Sequence, residues 1–86
     1  MKLPTFHLNG SSAAALRDEY RAAYAALGAA LTALAATHPH GSDYYPQDDD
    51  AFRAALAEHR TRVAPLTNVH TEIGALYAHC QEGVET

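Results

Sequence analysis

The chain has 86 residues and a formal charge of -4, from six Lys+Arg and ten Asp+Glu. That length allows one domain at most, the acidic balance excludes binding to a nucleic-acid polymer through a basic patch, and Cys80, the lone cysteine, excludes an internal disulfide. No run approaches the ~20 apolar residues of a membrane-spanning helix, and the opening MKLPTFHLNG lacks the apolar stretch of a secretory leader. The expectation is a soluble cytoplasmic protein with no membrane partner.

Residues 1–11 read as an extended arm. Its Leu3, Phe6 and Leu8 are expected to dock on a helix of the same or a neighbouring chain. Pro4 disfavours a central strand. Asn9-Gly10 is a turn signal, and Ser11 or Ser12 is placed to cap a helix by accepting from a first-turn backbone N–H. The first helix is predicted over 12–38. Leu16, Tyr20, Ala23, Leu27, Ala30 and Leu34 recur at alternating steps of four and three, a heptad seam of the coiled-coil kind. Tyr24 and Leu31 widen the stripe. Gly28 costs about 1 kcal/mol relative to alanine in a helix, which suggests that another backbone approaches there. Pro39 ends the helix by disfavouring helical geometry at His38.

A loop over 39–48 carries Gly41, the paired Tyr44-Tyr45 and Pro46. The second helix is predicted over 49–82, capped by Asp48 or Asp49. Its seam is Phe52, Leu56, His59, Val63, Leu66, His70, Ile73, Tyr77 and Cys80, flanked by Val69 and Leu76. Pro65 removes the hydrogen bond to the Thr61 carbonyl and is expected to kink the helix. The heptad phase continues across it, which favours a bend over a break. Gly83 is expected to end the helix, leaving 83–86 as a tail. The fold class is therefore all-α: an antiparallel helical hairpin, its second helix kinked at Pro65. Two helices of this size bury too little to stand alone, so a helical-bundle homo-oligomer is expected, most simply a dimer forming a four-helix bundle.

No motif specifies a reaction. There is no nucleophile in a glycine-bounded turn, no phosphate-cradling glycine loop and no HExxH, so the chain is read as not an enzyme, with no cofactor. Six histidines invite a metal reading. His38, His40 and Asp43 lack strong ligand spacing, however, and no metal site is assigned. His59 and His70 lie in the apolar seam. Each is expected at its edge with one partner such as Tyr20 or Tyr24; the sharper alternative is a polar pocket lining or a pH-sensitive interface. Tyr44 and Tyr45 present flat, low-entropy surfaces of the kind that anchor interfaces. With His7, Asn9, His40 and Asp43 they are the candidate partner-binding residues. The bland alternative has one tyrosine closing the open end of the hairpin and the other packing on the arm. Arm and loop lie at opposite ends of the first helix, ~37 Å apart, so a composite site requires an antiparallel neighbour.

Three stretches carry a resemblance: His7-Leu8-Asn9-Gly10-Ser11-Ser12, then Gly41 with Asp43-Tyr44-Tyr45-Pro46-Gln47, then Ala55 with Glu58-His59 and Arg62. Together they resemble small uncharacterised proteins of tailed phages and prophages, which have an HLNG-(S/T)-S opening, a G-R-D-Y-Y-P-Q interhelical loop and an A-x-x-E-H-x-x-R helix. Ser42 stands where that pattern has arginine, so Arg53 or Arg60 would have to serve any anionic ligand. Arg53 joins the candidate binding residues on that ground. The resemblance implies a non-enzymatic phage accessory protein in the host bacterial cytoplasm. Such a protein acts by binding a host protein or a small signalling nucleotide, in the manner of an anti-defence inhibitor. The alternative is a structural helical-bundle component of a virion or assembly complex.

Overall fold

The computed structural model describes residues 1–86. Three helices follow one another: α1 Ala13–Ala35, α2 Gly41–Tyr44 and α3 Ala51–Glu85. There are no strands, and α1 packs antiparallel on α3 as a hairpin measuring 63 × 20 × 17 Å. No helix is long and apolar enough to cross a membrane.

Ser12 caps α1, its hydroxyl accepting from the Ala15 N–H at 3.0 Å. The helix ends at Ala35, before the expected boundary at 38. Its last turn tightens instead: the Thr37 and His38 amides donate to Leu34 and Ala35, three residues back, and the Thr37 hydroxyl also donates to the Leu34 carbonyl at 2.7 Å. These bonds satisfy carbonyls that a helix end leaves open. The single turn α2 then interrupts what was expected to be plain loop. Neither Asp48 nor Asp49 caps α3. Asp50 holds that position without a side-chain bond, while the Asp48 carboxylate accepts from the Asp50 amide at 3.1 Å, closing a turn just ahead of the helix.

α3 runs without a break through Pro65. Pro65 is exposed, so the missing hydrogen bond falls on the solvent side, where helices already open and curve convexly. Gly83 does not end the helix. No glycine takes a positive φ, and α3 continues to Glu85. Gly83 has a different duty: a Cβ there would stand 2.5 Å from the Phe6 ring, so glycine leaves room for the arm.

The register is read from cross-helix pairs. Gly28 lies opposite His70, Tyr24 opposite Gly74, and Ala13 opposite Gly83. Every residue of the predicted α3 seam, from Phe52 to Cys80, is at least partly covered. In α1 the predicted seam is partly covered except at Ala30, and of the two residues expected to widen it Leu31 is partly covered while Tyr24 is exposed. Tyr24 reaches across to stack on His70, with ring centroids 4.0 Å apart and planes 10° from parallel. This is how His70 is accommodated, by a ring face and not by a hydrogen bond to a tyrosine. Beside it, the Arg21 guanidinium lies 5.6 Å from the Tyr77 ring centre and donates to its hydroxyl at 3.4 Å, which raises the Arg21 pKa.

Gly28 does not admit a second backbone; it faces the His70 ring. A Cβ at Gly28 would meet His70 Nε2 at 3.4 Å, an ordinary contact, whereas a Cβ at Gly74 would meet Tyr24 Cε2 at 2.9 Å. Gly28→Ala is therefore expected to stabilise by up to ~1 kcal/mol through helix propensity. Gly74→Ala is expected to destabilise by about 1 kcal/mol, because the Tyr24–His70 stack must open. Thermal melts of the two variants that shift in the same direction would contradict this packing.

The arm docks on its own chain. Phe6 stacks on His79 with ring centroids 5.3 Å apart, and His79 Nε2 donates to the Pro4 carbonyl at 2.7 Å. Between His79 and Gly83, Cys80 is wholly buried, and that burial pushes its thiol pKa up. Only Cys80 and Ala55 are buried in the single chain, and α1 has no buried residue. The hairpin therefore has a seam without an enclosed core.

Candidate binding site at the loop end

The two helices differ in length, and that difference builds the site. α1 has 23 residues and α3 has 35, about 35 Å and 52 Å at 1.5 Å per residue. Their register brings Ala35 to the level of Val63, and both border one groove. The first three turns of α3 thus extend past the end of α1, and the loop must cover them.

Phe52 anchors that cover. Tyr44 packs on it with ring centroids 6.2 Å apart, and Gly41 sits over its edge, where an added Cβ would be 3.9 Å from Phe52 Cε2. The loop is thereby folded back along α3. It closes a half-open cavity of about 320 Å³ lined by the end of α1, by the loop and by α3. His38, His40, Asp43 and Tyr44 come from the loop; Glu58, His59 and Arg62 come from α3, with Ala55 in the floor.

The α3 side has a simple origin. Ala55, Glu58, His59 and Arg62 follow at steps of three, one and three, so they share one helix face. Arg62 Nη2 lies 3.7 Å from Glu58 Oε2, with both side chains largely exposed, a pairing too open to tie either group down. On the loop side, the His38 and His40 rings lie 4.5 Å apart, tilted by 55°, and His38 Nδ1 is 3.2 Å from the Pro39 carbonyl. No three His, Cys, Asp or Glu side chains converge in a way that would hold a metal ion. The Thr37 hydroxyl is committed to the Leu34 carbonyl. The cavity offers imidazole, guanidinium, carboxylate and phenol groups around one opening.

The candidate residues therefore divide. His40, Asp43 and Tyr44 line this cavity. Tyr45 stands beside it, 86% exposed, at the rim of a shallower depression shared with Tyr44 and Phe52. Arg53 is exposed on α3 and lines neither cavity. His7 and Asn9 lie at the far end of the hairpin, where the Gly10 amide donates to the His7 carbonyl at 3.1 Å and the His7 ring covers Gly10. Within one chain, the arm and the loop do not meet. The arm is held to the last turns of α3, and neither tyrosine of the loop packs on it.

Four ionisable side chains not among the candidates also line the cavity: His38, Glu58, His59 and Arg62. Glu58, His59 and Arg62 were visible as an A-x-x-E-H-x-x-R stretch, and the structure brings that stretch against the Asp43-Tyr44 loop stretch around one opening. His59 was assigned to the seam against the first helix; the early end of α1 leaves it facing the loop instead. No protein family, curated protein or solved structure matches this chain.

Proposed function

We propose that this is a non-enzymatic phage accessory protein that acts by binding, as a homo-oligomer, and that it meets its partner with the loop end. The partner favoured is a host protein of a bacterial defence system. The observation that carries this reading is the convergence of two separate sequence stretches on one polar cavity, with Tyr45 projecting beside it. A freely exposed tyrosine next to a small polar recess is a suitable anchor and socket for a protein surface. The cavity is at the lower limit of the ~300–1,000 Å³ usual for small-molecule sites, and Asp43 and Glu58 oppose an anion there, so a signalling nucleotide is the less favoured ligand.

The test is phage plating on bacteria that carry single defence systems, with and without the chain expressed. At least a tenfold rise in plating is expected on one strain, with loss of the effect in Tyr45→Ala and in Arg62→Ala. A thermal shift with cyclic or linear nucleotides would move the assignment to the nucleotide. The exposed alanine faces of α1 favour a second reading, a structural helical-bundle component of a virion or assembly complex. Unchanged plating on every strain, together with recovery of the protein in purified virions, would select it.

A further inference from the structure

The two flanks of the hairpin differ. The Tyr24–Gly74 contact marks one of them. Arg21, Tyr24, His70, Thr71, Gly74 and Tyr77 border a groove of about 560 Å³ there. The other flank follows from helix geometry at about 100° per residue. On α3, Val69 and Leu76 lie roughly 100–120° around from His70, on the side away from Gly74. On α1, Ala23 and Ala30 lie on the side of Tyr20 away from Tyr24. Because the helices are antiparallel, these positions share one side of the molecule.

That second flank is flat and apolar. Leu66, Ile73 and Leu76 are only partly covered, and Val69 is 45% exposed. Ala26, Ala30 and Ala33 face them from α1, all exposed. No cavity opens among these residues. α1 has no charged residue anywhere from Ala22 to its end, and a helix that is apolar all round is normally a buried one.

The surface area says how much covering is wanted. The chain exposes 6217 Å² at 9.2 kDa, whereas a compact monomer of that mass exposes about 4,900 Å². The excess of roughly 1,300 Å² is more than the ~800 Å² that each partner contributes to a standard interface. Charge adds a direction. Glu19 stands at the arm end of this flank and Arg62 at the loop end. An antiparallel two-fold axis at the level of His70 brings each Arg62 close to the level of Glu19 on a second copy, and a parallel arrangement would put like charges together.

We propose that this Leu66–Val69–Ile73–Leu76 flank, with the alanines of α1 beside it, is an isologous dimer interface occupied by the same flank of a second copy, antiparallel, completing a four-helix bundle. The proposal rests on the oligomeric reading above and assigns it a face. The groove at Tyr24 lies on the opposite flank and stays open in such a dimer, whereas Arg62 stands both at the edge of this interface and in the lining of the loop-end cavity.

Sedimentation equilibrium at tens of micromolar tests it, on the wild type and on Val69→Glu, Ala30→Glu and Thr71→Glu. All three positions are exposed in the single chain, so each variant is expected to retain its helical circular dichroism. The wild type and Thr71→Glu are expected to be dimers, and Val69→Glu and Ala30→Glu to dissociate at least 100-fold more readily. A monomeric wild type would overturn both the oligomer and the interface. A dimer that survives Val69→Glu and Ala30→Glu overturns the interface alone, as does dissociation by Thr71→Glu with Val69→Glu intact.

Discussion

Replacing Pro65 by alanine is expected to raise the melting temperature by roughly 10 °C. Proline in a helix interior is about 3 kcal/mol less favourable than alanine, and Pro65 sits near the middle of a helix that continues on both sides. Its ring is exposed, so alanine removes no packing and restores the amide that the Thr61 carbonyl lacks. An exposed position lowers that cost, because water can reach the unpaired carbonyl, which leaves a gain of about 2 kcal/mol. For a chain of this length each kcal/mol is worth about 4–8 °C. Melts must be compared at one protein concentration, because an oligomer's stability depends on it. A fall in melting temperature would mean that a bend at Pro65 is needed to hold both ends of α3, Phe52 under the loop and Cys80 beside the arm.

Gly83→Ala is expected to release the arm. The new Cβ would stand 2.5 and 2.8 Å from two Phe6 ring carbons and 3.1 Å from the Ala13 Cβ. The ring can swing away, but the Ala13 Cβ is fixed to the α1 backbone, so a loss of about 1–2 kcal/mol follows. The readout is Cys80. Its thiol is wholly buried and held protonated by that burial, and only the thiolate reacts. Labelling with a thiol reagent at neutral pH is expected to quicken on the order of tenfold, the factor that corresponds to that loss. Gly10→Ala is the control. Its Cβ would meet only the His7 ring, 2.8 Å from Nε2, a side-chain tip that can move, so labelling is expected to stay slow. Equal labelling of wild type and Gly83→Ala would show that the arm does not protect Cys80.

The hairpin was legible in the spacing of its apolar residues. The seam from Phe52 to Cys80 faces inward along its whole length because a heptad repeat keeps one stripe of a helix toward a neighbour. Spacing identifies a stripe but not which edge of it is pressed on the partner. That is why Ala30 was expected inside yet is exposed, and why the Tyr24–His70 stack was not foreseen: a ring stack between two helices has no local signature. Gly83 shows the same limit. A glycine near the end of a helical run reads as a terminator, yet here it is a clearance for Phe6, a residue 77 positions away in the chain.

The candidate site was half legible. Asp43, Tyr44 and Tyr45 stood out as polar and aromatic residues that helix capping did not explain. His38, Glu58, His59 and Arg62 could not be joined to them, because the joining depends on where α1 stops relative to α3. The periodicity of each helix by itself determined the class of fold, the pairing of two helices and the seam of the longer one, since local propensity and side-chain direction act within a few residues. Only the tertiary structure decided the register of α1 on α3, the folding of the loop over Phe52 and the docking of the arm at Gly83. Those depend on contacts between residues far apart in the chain, whose energies no local spacing encodes.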